Sequence, residues 1–182
     1  MMDKWGGLMK KILALVLLCT CLTLTAFTQD LFELKSVQSK ILLAYELNDH
    51  SLLDAAIMDL QKIILDRGSD PYVLSKAHLL TGDAYFYKGF YSLALESYDK
   101  ALQYTGKDDQ DYPYAVYSKC YATYHMALET QQSNRDSLLS QALILLEQLV
   151  SFSGYQQDYY LLKGMIQKAK GDYLGASASF DA

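Results

Sequence analysis

The stretch from Ser75 to Asp109, SKAHLLTGDAYFYKGFYSLALESYDKALQYTGKDD, decides how this chain folds. Its apolar residues fall at helical spacing on both sides of Lys88-Gly89, which predicts two helices over 71–88 and 91–105 joined by a tight turn. Gly82 and Ala94 stand twelve positions apart, and Tyr98 follows one turn after Ala94. Two antiparallel helices approach closely where one presents Gly and the other Ala. A large side chain one turn later then fills the space beside that contact.

The same spacing recurs along the chain. Ala44, Ala56 and Gly68 repeat it before the quoted stretch, in which the Gly82 and Ala94 set closes on Gly106. Ser118, Ala142 and Gly154 follow, with the first gap doubled, and Gly164 and Ala176 come last. Each Ala is followed four residues later by a large apolar side chain, namely Leu60, Tyr98, Leu146 and Phe180. The glycine closing each set is expected to stop the second helix in a left-handed conformation. One such pair cannot cover its own apolar face, so pairs must stack. Helices are predicted over 31–47, 51–66, 71–88, 91–105, 111–130, 136–152, 155–170 and 173–182. Asp70-Pro71 reads as an N-cap followed by Pro at the first helical position. Residues 127–138 are expected to form an elongated helix and loop, with a turn at Ser133-Asn134-Arg135-Asp136. No alternating strand pattern competes.

The unit from Ser75 resembles a tetratricopeptide repeat through Gly82, Tyr85, Gly89, Tyr91, Ala94, Tyr98 and Ala101. The last unit matches partly through Gly164, Gly171, Tyr173, Ala176 and Phe180; the first and third rest on spacing. His78, Thr81, Gly106 and Gln167 depart from the family's pattern. The resemblance implies an all-α, TPR-like α-solenoid of stacked antiparallel helix pairs over 29–182, with about four units and the last incomplete. Repeat packing is assigned to Ala44, Ala56, Gly82, Ala94, Tyr98, Ala142, Gly164, Ala176 and Phe180. The family binds polypeptides in a concave groove lined by the first helix of each unit. Carried over, that groove contains Tyr45, Lys76, Leu79, Asp83, Phe86, Tyr112, Lys119, Met165 and Lys168. The paired basic residues and Asn that clamp a terminal carboxylate in some members are absent, so no such clamp is expected.

Residues 1–28 read differently. Lys10-Lys11 precede an apolar run from Ile12 to about Phe27, the layout of a signal peptide. The segment beginning MKKILALVLL at Met9 looks like a bacterial export signal, which makes Met9 a competing start to Met1. Ala26 and Thr28 suit cleavage before Gln29. Leu18-Cys19-Thr20-Cys21 offers a lipoprotein box instead, with Cys21 lipidated and the product held at the membrane by its lipid. An uncleaved anchor is the third reading. The expected location is therefore the periplasm or the outer membrane.

The 182 residues are 51% apolar and 20% charged, the composition of a folded domain. The formal charge of −5 and the lack of a basic stripe argue against nucleic acid as a partner. No phosphate loop, zinc-protease or nucleophile-elbow motif occurs, and His50, His78 and His125 fall on separate units. Asp108-Asp109-Gln110-Asp111 lacks the Gly and Glu of a calcium loop and reads as a solvated turn. Cys120, alone outside the leader, is expected as a small buried apolar residue. No enzyme activity, metal or cofactor is expected.

Sixteen tyrosines stand out, five of them at 112, 114, 117, 121 and 124, which cover more than one helix face and cannot all be core. The leading expectation is a scaffold or adaptor that binds a protein or peptide. The alternative is a periplasmic protein that encloses a small hydrophobic ligand for a transport system. The incomplete last unit, with no capping helix after it, reads either as a truncated fragment or as an end covered by a partner or a second copy.

Overall fold

A computed structural model describes residues 28–66 and 70–182. The expected signal peptide up to residue 27, Cys21 within it, and Gly68 lie outside the described residues. The chain divides into two units, Met1–Ser36 and Val37–Ala182. Residues 28–36 of the first are helical.

The second unit is all-α among its described residues. Helix α1 occupies 37–47. It is followed by α2 (His50–Asp66), α3 (Pro71–Tyr87), α4 (Tyr91–Tyr104), α5 (Tyr112–Glu129), α6 (Gln132–Leu146), α7 (Gln156–Ala169) and α8 (Tyr173–Phe180). Single-turn 3-10 helices at Glu147–Leu149 and Ser153–Tyr155 link α6 to α7. Successive helices pack as adjacent pairs, α3 on α4, α5 on α6 and α7 on α8, and each pair rests on the next through α4 with α5 and α6 with α7.

Local chemistry sets the helix starts. Asp70 accepts hydrogen bonds from the backbone N–H of Tyr72 (2.9 Å) and Val73 (3.3 Å) with Pro71 at the first helical position. Such a cap contributes about 0.5–2 kcal/mol. Asp49 does the same for α2 through Ser51 and Leu52, and the Ser51 hydroxyl bond holds its carboxyl below the ordinary value. Asp172 caps α8 through the Gly175 N–H at 2.9 Å.

The small residues of the repeat are buried as expected. Ala44, Ala56, Ala94 and Ala142 are fully covered, and so are Leu60 and Leu146. Phe180 differs: its ring lies against Gly164, yet it remains 49% exposed. In the third pair the close contact falls on Cys120, whose Sγ lies 3.1 Å from the Ala142 carbonyl oxygen.

Two expectations are corrected. The left-handed glycines are Gly89 (φ 76°) and Gly171 (φ 84°), at the turn inside a pair, and Asn48 (φ 51°) serves the first pair. Gly106 and Gly154 do not adopt that conformation; α4 ends instead on Thr105 in an extended conformation. The region 127–138 holds no long loop. Only Thr130 and Gln131 separate α5 from α6, and the expected turn at 133–136 is the first turn of α6. The doubled spacing is helix: α3 ends five residues after Gly82, whereas α5 ends eleven after Ser118. Likewise α4 begins three residues before Ala94, and α6 begins ten before Ala142. The third hairpin is lengthened by nearly two turns on each arm. Ser133, Asn134 and Asp136 are frequent turn formers, but the two-residue link already reverses the chain before them.

Candidate functional site

Aromatic side chains meet across the first helices of successive pairs. Tyr45 on α1 packs on Tyr87 at the end of α3, ring centres 4.5 Å apart. Tyr87 adjoins Phe86, whose ring lies 5.3 Å from Tyr121 and 5.3 Å from His125 on α5. Tyr91 at the start of α4 closes over the same spot, 5.5 Å from both Phe86 and His125. Along α5, Tyr121 stacks nearly parallel with Tyr117 at 6.0 Å, and Tyr117 reaches Tyr155 ahead of α7 at 6.3 Å. The result is a continuous aromatic ribbon from α1 to the start of α7.

The ribbon follows from helical spacing. Tyr117, Tyr121 and His125 stand four residues apart and share one face of α5. His125 lies in the lengthened arm of the third hairpin, so the extra turns extend this stripe. Tyr45 is 60% exposed, whereas Phe86, Tyr87, Tyr117, Tyr121 and Tyr155 are half-buried.

Burial holds these groups uncharged. It raises the phenols of Tyr87, Tyr91 and Tyr155, and pushes Tyr117 up to about 12 with help from the Asp158 carboxylate. Burial lowers His125, which is therefore neutral at pH 7, and its Nε2 is buried without a hydrogen-bond partner. The arrangement offers ring faces and hydroxyl groups for stacking and hydrogen bonding.

Several residues assigned to the groove are placed elsewhere. Leu79 is buried in the core between α3, α4 and α5. Asp83 is buried beside it and accepts hydrogen bonds from the hydroxyls of Tyr98 (2.8 Å) and Tyr114 (3.1 Å). It therefore ties α3 to its own partner α4 and to the next pair, and it is not an open groove position. Lys76 pairs with Asp111 and Lys119 with Asp99, each at 2.5 Å, so both lysines bridge neighbouring pairs. Tyr112 donates to Gln148 Oε1 at 2.9 Å and packs on Phe152, away from the ribbon. Met165 is half-buried against the α5–α6–α7 core, and Lys168 is exposed. Of the assigned set, only Tyr45 and Phe86 enter the ribbon. Tyr87, Tyr91, Tyr117, Tyr121, His125 and Tyr155 were not assigned, although the four-residue spacing on α5 carries the signal for three of them.

Among the described residues no group of three or more His, Cys, Asp or Glu is placed to hold a metal ion. No described helix is long and apolar enough to cross a membrane. Together, the paired helices and their recurrent crossings define a repeat-like all-α protein. No family model and no curated protein matches the chain.

Proposed function

We propose that this protein is a non-enzymatic scaffold of tetratricopeptide-like repeats that binds a polypeptide partner along the aromatic ribbon, at the cell envelope after export. The ribbon from Tyr45 to Tyr155 is the observation that carries the reading. A core needs its rings covered, yet Tyr45 is exposed and the rings that continue the row from Phe86 to Tyr155 are only half-buried. Tyrosine provides large, rigid contact area at little cost in side-chain freedom, which is why it concentrates in binding surfaces. The recurrent Gly82, Ala94, Tyr98 and Gly164, Ala176, Phe180 sets support the repeat assignment, and the Lys10-Lys11 leader supports export.

The test is affinity capture from an envelope extract of the native host, comparing the wild-type chain with Phe86→Ala combined with Tyr121→Ala. Partners retained by the wild type and lost by the double variant, with helix content unchanged by circular dichroism, are the expected result. Identical partner sets would reject the ribbon as the binding face.

A further inference from the structure

Resting on that reading, we infer that the ribbon takes an extended, arginine-bearing segment of its partner, with cationic side chains laid over tyrosine faces and held at both ends by Glu129 and Asp158.

The α5 stripe does not stop at His125. Tyr117, Tyr121, His125 and Glu129 continue at four-residue intervals, so the row of rings ends on a carboxylate. Asp158 stands at the other end, in the first turn of α7, three residues after Tyr155. From Tyr117 to Glu129 the helix rises about 18 Å, the reach of five or six extended residues.

Neither carboxylate is paired with a cation among the described residues. Both carboxylates are felt at the rings: beyond the effect of burial, Glu129 adds to the rise of the Tyr91 phenol and opposes the lowering of His125, and Asp158 adds to the rise of Tyr117 and Tyr155. The lysines nearby are committed, Lys76 to Asp111 and Lys119 to Asp99. The charge of Arg135 is felt at Tyr124, beside the ribbon. An acidic rim around electron-rich faces favours a cation over the ring and disfavours an anionic segment. Arginine suits this surface better than lysine, since its planar group stacks on a ring while its N–H donors reach a carboxylate. The chain's net charge of −5 acts in the same direction at longer range.

The experiment uses the full chain and fluorescein-labelled short peptides. One alternates arginine with proline, a second replaces every arginine by citrulline, and a third carries glutamate in those places. Citrulline keeps the shape and removes the charge. By anisotropy at low salt, the arginine peptide is expected to bind at least about tenfold more tightly than the citrulline peptide, a gap that added salt narrows. Glu129→Gln with Asp158→Asn is expected to erase most of that gap, whereas Phe86→Ala weakens the arginine and citrulline peptides alike. Glu129 is exposed at the end of α5 and Asp158 is half-buried in the first turn of α7, and circular dichroism checks that the double variant folds. Equal affinity for arginine and citrulline peptides overturns the inference. So does an arginine affinity unchanged in the carboxylate variant, preference for the glutamate peptide, or no binding by any peptide. The capture experiment judges the scaffold reading separately, because it depends on ring removal and not on charge.

Discussion

The ring of Tyr98 lies directly against Gly82, where a side chain would otherwise stand. A Cβ built on Gly82 would come within 2.4 Å of the ring, closer than any real contact. The same ring carries its hydroxyl on to Asp83, so one side chain makes the helix crossing and the polar bond behind it.

Gly82→Ala should therefore destabilise the fold by about 1–3 kcal/mol, despite alanine's better helix propensity of about 1 kcal/mol. Tyr98 is fixed by its buried hydroxyl bond and cannot swing away. Gly164→Ala meets Phe180 at the same 2.4 Å, but that ring is half exposed and free to move, so the loss should be smaller. Gly106→Ala meets nothing within 4 Å and should be neutral or slightly stabilising. Thermal melts of the three variants check the order; an equal loss at Gly82 and Gly106 would refute the crossing.

Asp83 gives the fold a pH dependence of known sign. Burial raises its carboxyl from 3.8 to about 6, while the two tyrosine hydroxyls pull it partly back. The folded state then holds this proton more tightly than the unfolded chain. Its contribution to stability is greatest below about pH 4, falls as pH rises through the window to about 6, and is constant above it. The loss is of order 1–3 kcal/mol. Asp83→Asn should flatten the dependence of the denaturation midpoint on pH across that window. A wild-type slope that persists in the variant would place the titration elsewhere.

Cys120 should be inert in the native protein. Burial pushes its thiol up to about 12, and its Sγ is enclosed against the Ala142 carbonyl. The thiolate needed for attack is scarce and unreachable. A coloured disulfide reagent at pH 8 should react with this thiol only after denaturant is added; rapid reaction of the folded chain would contradict the burial.

Much of the architecture was legible because helical pairing depends on short-range spacing. The interval of twelve from Gly82 to Ala94 and from Gly164 to Ala176 encodes which helices cross, and the residue four beyond Ala says what fills the crossing. The site was less legible. Family groove positions pointed to Leu79 and Asp83, but whether a position on a first helix faces a ligand or the next pair depends on how far the pairs are rotated. Here Leu79 and Asp83 are buried.

By itself the sequence determined the helical class, the order of the pairs and the small-residue crossings at Gly82 with Ala94 and Gly164 with Ala176, since each needs only the 3.6-residue period and side-chain size. Only the tertiary structure decided that the third pair spends its extra residues on longer arms, that Asp83 is an internal bond, and that Tyr45, Phe86, Tyr121 and Tyr155 form one surface. Those outcomes turn on contacts between residues tens of positions apart, where the relative placement of whole helices sets which side chains meet.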